Sequence, residues 1–160
     1  MRRIFVVVST LLLLSTIVQF YLAAVGALTR PQTDESFALH SLNGMAVIPA
    51  LSVLATIAAA LARAPGRLVG LAILPAGLVV VQSLIIAIND AFADGTGHST
   101  PVGLAIGGLH AIGGLAVMGT SGAVMRRARA LAAERRLSAE SRLPAEPGLP
   151  TEPGLPAEAR

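Results

Sequence analysis

Residues 4–28 read IFVVVSTLLLLSTIVQFYLAAVGAL, an uninterrupted run of 25 residues without a charged side chain. About 20 such residues are enough to cross the ~30 Å hydrocarbon core of a bilayer. Three further runs of this kind cover residues 37–61, 68–88 and 102–125, and none contains Arg, Asp or Glu. Since lipid offers the backbone no hydrogen-bond partners, each run must satisfy its own backbone groups as a helix. The sequence therefore predicts an all-α protein, a transmembrane four-helix up-down bundle formed by residues 1–125.

Two prolines fall inside the predicted helices, Pro49 in the second and Pro75 in the third. A proline inside a helix removes one backbone hydrogen bond and clashes with the preceding turn. We therefore expect a kink at each position.

The composition of the chain excludes several classes of protein. Of its 160 residues, 54% are hydrophobic and only 13% are charged, compared with ~25% charged in a soluble domain. The absence of Cys excludes disulfides and thiolate metal sites. The absence of Trp, with one Tyr and four Phe, argues against an aromatic platform for nucleic acid. We expect the lipid bilayer as the main partner and no nucleic-acid partner.

The arginines predict how the helices are oriented, because basic residues resist translocation and collect on the cytoplasmic side. If both termini are cytoplasmic, that side holds Arg2, Arg3, Arg63, Arg67, Arg126, Arg127 and Arg129. The outer loops then hold only Arg30, together with four acidic residues. The alternative is that Met1–Ala27 is a cleaved signal peptide, but its apolar run is longer than the usual ~7–15 residues. We predict a multi-pass protein with a cytoplasmic N-terminus and C-terminus.

The composition changes after Met125. Residues 126–142 are rich in Arg, Ala and Glu, which predicts a basic helical extension of the fourth helix. The arginines of the Arg126–Arg136 segment would contact anionic lipid head groups. Residues 143–160 repeat the pattern Leu-Pro-Ala-Glu-Pro-Gly, in which frequent prolines prevent a helix. We predict a disordered Pro-rich tail.

The second and fourth runs contain an internal repeat. Residues 39–48 (LHSLNGMAVI) and 109–118 (LHAIGGLAVM) are identical at five of ten positions. The helix before each motif carries one glutamine, Gln19 and Gln82. The predicted topology places both glutamines, His40 and His110 in one layer near the outer face. We therefore expect two repeated helical hairpins, related by a rotation about the membrane normal.

These motifs resemble a small bacterial membrane family, domain of unknown function 6220. The resemblance covers residues 4–125: a Val-Gln-Phe-Tyr segment on the first helix, His40 at the start of the second, Gln82 on the third and His110 on the fourth. It implies a four-helix fold in the bacterial cytoplasmic membrane and no activity, because the family has none assigned. More distantly, His40 and His110 are similar to the paired haem-ligating histidines of haem A synthase halves and cytochrome b561 proteins.

Three functional hypotheses remain for this layer. In the first, His40 and His110 are the metal ligands of a b-type haem in a redox module, and Gly44 and Gly114 make room for the edge of the macrocycle. In the second, the protein is a structural or partner-binding membrane subunit, in which the His and Gln side chains only stabilise the bundle. In the third, a small transporter moves its substrate past Gln19 and Gln82. The low number of aromatic residues weighs against haem, and no catalytic motif indicates an enzyme.

Overall fold

The computed structural model describes residues 1–92, 98 and 100–140, apart from the side chains of residues 34, 135, 136 and 138–140. Within this part of the chain the regular elements are all helical: α1 (Arg2–Leu28), a 3-10 turn (Asp34–Phe37), α2 (Ala38–Leu42), a π turn (Asn43–Val47), α3 (Ile48–Leu61), α4 (Gly66–Ala91) and α5 (Pro101–Glu140). The all-α prediction is confirmed. The predicted disordered tail, residues 143–160, lies outside the described residues, as do the last two residues of the basic extension.

Four stretches are long and apolar enough to cross a membrane, as predicted: α1, residues 35–61, α4 and residues 101–134. We call residues 35–61 the second span. The spans form a closed ring, in which α1 and α4 each contact both α3 and α5. Exposed leucines, valines and isoleucines cover the outward faces, and such a surface is stable only against lipid or another apolar partner. These helices therefore indicate a membrane protein.

The second span changes its helical form around the predicted kink. Pro49 has no backbone N–H, so the turn before it loses one bond of the regular ladder. The N–H of Ile48 donates instead to the carbonyl oxygen of Asn43, five residues earlier, and the chain forms the π turn there. A π turn adds a residue to one turn of the helix and so changes which side chains share a face. In this chain the π turn comes directly after α2, the helix that carries His40.

Pro75 does not end α4, which continues through it to Ala91. The hydroxyl of buried Ser52, on α3, donates to the carbonyl oxygen of Ala72 at 2.7 Å. The same hydroxyl accepts from the backbone N–H of Ala76 at 3.3 Å. Ser52 is thus inserted into the turn around Pro75 and satisfies backbone groups that lipid could not satisfy. This contact also joins α3 to α4.

One end of the bundle gathers several of the basic residues. An Nη1 atom of Arg2 donates to the carbonyl oxygen of Leu131 at 2.6 Å, which joins the start of α1 to the extension of α5. The loop between α3 and α4 lies at this end too, because its Pro65 lines a cleft of about 250 Å³ with Arg127 of α5. The predicted grouping of arginines therefore corresponds to one end of the molecule.

Candidate functional site

Six polar side chains, contributed by all four spans, form a connected group, which we call the polar layer. Its members are Ser15, Gln19, His40, Asn43, Gln82 and His110. The four residues predicted from the repeat are among them. Ser15 and Asn43 were not predicted.

In the first hairpin, Gln19 occupies both ring nitrogens of His40. The side-chain amide of Gln19 donates to the carbonyl oxygen of His40 at 3.0 Å and lies 3.2 Å from its Nε2. The other ring nitrogen, Nδ1, lies 3.2 Å from the backbone oxygen of Gln19. Since a carbonyl oxygen can only accept, Nδ1 is the donor there and Nε2 accepts from the amide. The imidazole of His40 is therefore fully hydrogen-bonded.

Asn43 completes this arrangement. Its side-chain amide donates to Oε1 of Gln19 at 2.8 Å and to the backbone oxygen of Ser15 at 3.0 Å. Its own Oδ1 accepts from the Ser15 hydroxyl at 2.9 Å. Every member of the group on α1 and the second span therefore has a partner. The alignment of the two segments does not single out Asn43, because the position that aligns with it is Gly113. The feature of the sequence that could have indicated Asn43 is that it is an isolated Asn inside an apolar run.

The second hairpin reproduces only one of these bonds. The side-chain amide of Gln82 donates to the carbonyl oxygen of His110 at 2.6 Å, the counterpart of the bond from Gln19 to His40. Gln82 is only 9% exposed. Nevertheless, its Oε1 and the Nδ1 of His110 are buried and have no hydrogen-bond partner in the described part of the chain. Gly113 supplies no side chain to serve them. That the two hairpins superpose as whole units stays a prediction.

The glycines that follow each histidine lie against side chains of α1. A Cβ added to Gly44 would be 2.6 Å from Nε2 of Gln19, and one added to Gly114 would be 3.4 Å from the ring of Phe20. Both glycines thus let an α1 side chain approach the backbone of the facing helix. Their proposed role beside a haem macrocycle stays a prediction.

The two imidazoles face one another between the hairpins, with ring centroids 6.2 Å apart and planes inclined by 58°. Phe37 lies edge-on to His40 at 6.1 Å, and Phe20 contacts Gly114. The layer therefore has two phenylalanines beside it, although the low aromatic content of the chain predicts few aromatic neighbours there. No cluster of three or more His, Asp or Glu side chains suited to a metal ion occurs within residues 1–92, 98 and 100–140.

The chemistry available here is that of neutral hydrogen-bonding groups at membrane depth. No arginine or carboxylate belongs to the polar layer, and a neutral imidazole adds no net charge to lipid. Such a layer can pair helices, and it can ligate a metal ion where a ring nitrogen is free. Both ring nitrogens of His40 have hydrogen-bond partners. One ring nitrogen of His110, Nδ1, has none in the described residues.

The comparison with known proteins connects part of the chain to a family. No curated protein and no solved structure matches the chain. Residues 19–88 match the model of DUF6220, a family of unknown function. The matched segment contains Gln19, His40, Asn43 and Gln82 and ends before α5, which carries His110. The predicted resemblance to this uncharacterised family is therefore confirmed for residues 19–88.

Proposed function

We propose that this chain is a structural membrane subunit whose polar layer determines how its helices pair. The observation that carries the proposal is the state of His40, whose two ring nitrogens both bond to Gln19. A metal ion or a proton acceptor would have to displace one of these bonds. Interhelical hydrogen bonds in membranes contribute about 0.6 kcal/mol on average, so several bonds acting together can set the pairing of α1 with the second span.

A double-mutant cycle tests this role. Gln19→Leu and His40→Phe each remove one partner and keep a side chain of similar size. If the two residues stabilise the bundle through each other, the double variant is hardly less stable than either single variant. The free energy of unfolding can be followed by circular dichroism in mixtures of dodecyl maltoside and sodium dodecyl sulfate. Fully additive losses, or no loss at all, would contradict the proposal.

A second candidate function is the b-type haem module, favoured by the distance between the two imidazoles. When two imidazoles ligate one iron, their centroids are separated by two metal–nitrogen bonds of about 2 Å and by the distance from each ligating nitrogen to the centre of its ring, roughly 6 Å in total. The two centroids here are 6.2 Å apart. On this hypothesis the amide of Gln19 must first leave Nε2 of His40. Haem supplies electron transfer when bound; His40 and His110 would hold it, with Phe20 and Phe37 as apolar neighbours.

The visible spectrum of protein produced with haem available separates the two candidates. The haem hypothesis predicts a reducible Soret band that is lost in both His40→Ala and His110→Ala. It also predicts that Gln19→Leu keeps or strengthens the band, because the competing hydrogen bond is gone. The structural hypothesis predicts a colourless protein that Gln19→Leu destabilises. A band that survives both alanine substitutions would exclude this histidine pair as the ligands.

For location, we propose that the arginine-rich end faces the cytoplasm of a bacterial cell, as the distribution of basic residues favours. Reporter fusions after Gly66 and after His98 test it, with a cytoplasmic signal expected at Gly66 and an external one at His98. The opposite pair of signals would reverse the topology. Association with a further membrane subunit stays a prediction.

Anionic lipid head groups are the partner we propose for the same end. Arg127 is exposed and lines the cleft with two leucines, Leu68 and Leu131, and with the acidic Glu134. A phosphate beside the guanidinium would therefore compete with the Glu134 carboxylate, while an acyl chain could lie beside the leucines. Thermal unfolding in vesicles of phosphatidylglycerol and of phosphatidylcholine tests this. We expect phosphatidylglycerol to stabilise the chain, and Arg127→Gln to reduce that difference.

A further inference from the structure

The cleft at the arginine-rich end lies between the start of α4 and the extension of α5. Its walls are formed by Pro65, Leu68, Arg127, Ala130, Leu131 and Glu134. A pocket for a drug-sized ligand usually has a volume of ~300–1,000 Å³, whereas this cleft has about 250 Å³ and suits one or two side chains of a peptide. Arg127 is exposed, and it makes no hydrogen bond or ion pair with another described residue. The cleft therefore offers leucine side chains and an available guanidinium.

The tail that follows α5 repeats one short motif. Residues 143–146, 149–152 and 155–158 each read Leu-Pro-X-Glu, where X is Ala or Thr. Residues 143–160 lie outside the described part of the chain, but their sequence is complementary to the cleft, since every copy has an apolar Leu and an acidic Glu. Pro-rich segments favour the polyproline II conformation, which is largely formed before a groove is bound and so costs little entropy on binding.

The length of the chain after α5 decides which copies can reach the cleft. A helix rises about 1.5 Å per residue, so Leu131 and Arg127 lie about 14 Å and about 20 Å before the end of α5 at Glu140. An extended tail advances about 3.1 Å per residue. The Glu of the first copy follows Glu140 by six residues, about 19 Å, which leaves no length for the chain to reverse its direction. The second and third copies are within reach.

The order of residues in the motif matches the order of residues along α5. A tail that runs back along this helix passes Glu134 first, then Leu131 and then Arg127. In each copy the Leu comes three residues before the Glu. The Leu therefore meets Leu131, and the Glu continues to Arg127, away from the like charge of Glu134. The opposite order in the motif would place two carboxylates side by side, which repel each other.

We propose that the tail of this chain folds back and binds the cleft through a Leu-Pro-X-Glu copy, of which residues 149–152 are the first within reach. The Leu packs against Leu68 and Leu131, and the Glu pairs with Arg127. An exposed ion pair is weak by itself, but a tethered segment has an effective concentration in the millimolar range. The bound tail covers Arg127, where anionic lipid is proposed above to bind, so tail and lipid compete. This contact is independent of the structural role of the polar layer.

Disulfide cross-linking of the full chain in phosphatidylcholine nanodiscs tests the contact. The chain has no Cys, so two introduced cysteines are its only thiols. Thr151→Cys is combined with Ala130→Cys in the cleft or with Ala133→Cys, an exposed position outside the cleft. A tail that does not bind meets Ala133 at least as often as Ala130, because Ala133 is nearer to the tail. We expect the disulfide to Ala130→Cys to form about three times faster or more. A rate at Ala133→Cys that is equal or higher would overturn the proposal.

Charge substitutions test the ion pair in the same measurement. Arg127→Gln removes the guanidinium from the cleft, and we expect it to slow the cross-link to Ala130→Cys about threefold. Arg129→Gln removes the same charge from an exposed residue that does not line the cleft, and it should leave the rate unchanged. Arg127→Glu combined with Glu152→Arg should restore the rate, because the exchanged charges still attract. Equal rates in Arg127→Gln and Arg129→Gln would overturn the proposal. These nanodiscs contain no anionic lipid, so the result does not depend on the lipid partner proposed above.

Discussion

The two hairpins of the bundle carry the same residue types in the same order, a Gln on the first helix and a His on the second. In the first hairpin, Gln19 makes bonds to His40 and Asn43, and the histidine is bonded at both nitrogens. In the second, Gln82 makes one bond and leaves polar atoms unpartnered. Residues that align between two segments of a sequence therefore need not have the same role in both segments.

One part of the difference lies at a single aligned position, because Asn43 bonds to Oε1 of Gln19 whereas Gly113 has no side chain to bond to Oε1 of Gln82. The other part is the Nδ1 atom of His40, which bonds to the backbone oxygen of Gln19. Asn43 reaches α1 from the π turn, which forms where Pro49 cannot donate a backbone hydrogen bond. Residues 109–118 contain no proline, and α5 is an α-helix throughout. A local change of backbone geometry and a polar side chain thus occur together in the first copy and are both absent from the second.

The largest effect we expect comes from replacing the glutamines. Gln19→Leu should lower the free energy of unfolding by about 2–3 kcal/mol, because it removes several interhelical bonds and leaves His40 and Asn43 without their partner. Gln82→Leu should lower it by less than about 1 kcal/mol, because it removes one bond together with a buried, unpartnered oxygen. Unfolding in mixed detergent and sodium dodecyl sulfate measures both. Equal losses would mean that the hairpins are equivalent after all.

Much of the architecture follows from the sequence because a bilayer restricts what a chain can do. The runs at residues 4–28, 37–61, 68–88 and 102–125 lie within the four observed spans, since lipid requires helices of a certain length. The meeting of Gln19 with His40, and of Gln82 with His110, follows from the repeat and an up-down order. Helical spacing places Asn43, three residues after His40, on the same face, but spacing alone does not show that its amide bonds to Ser15 and Gln19.

Ser52 shows a second reason why sequence reasoning falls short. In its own helix it is one small polar residue among apolar ones. Its role arises from Pro75 on α4, which disturbs the backbone that Ser52 then bonds at Ala72 and Ala76. Such a contact needs knowledge of which residues face each other across a helix pair, and neither composition nor periodicity contains that information.

The aligned glycines should also respond differently. Gly44→Ala places a Cβ 2.6 Å from Nε2 of Gln19, so the amide must move away from His40, and we expect a loss of about 1–2 kcal/mol. Gly114→Ala brings a Cβ to an ordinary 3.4 Å contact with Phe20, and the better helix propensity of Ala offsets the crowding. We expect no loss of stability there. Comparing the two variants by the same unfolding measurement tests whether Gln19, rather than glycine itself, makes the first position sensitive.

Ser52→Ala should cost about 1 kcal/mol, because it removes the hydroxyl that joins the second span to α4 and so links the two hairpins. The matched control is Thr56→Val, four residues later on α3. The hydroxyl of Thr56 bonds to the backbone oxygen of Ser52 within its own helix and joins no two helices. Its loss should be close to neutral. If Thr56→Val costs as much as Ser52→Ala, local helix bonding explains both effects and the link between the hairpins is weak.

The smallest effect should come from the arginine-rich end, where the first helix of one hairpin meets the last helix of the other. Arg2→Gln removes the bond from the guanidinium to the backbone oxygen of Leu131. Because this end is accessible to water and ions, which compete for the guanidinium, we expect a loss of only about 0.5 kcal/mol. Arg3→Gln, an exposed neighbour, removes the same charge as a control and should cost less. The polar layer holds neutral groups within the apolar spans, whereas this end holds charged arginines that water and ions can reach. A loss for Arg2→Gln as large as that for Gln19→Leu would show that contacts outside the apolar region stabilise the pairing of the hairpins as strongly as the polar layer does.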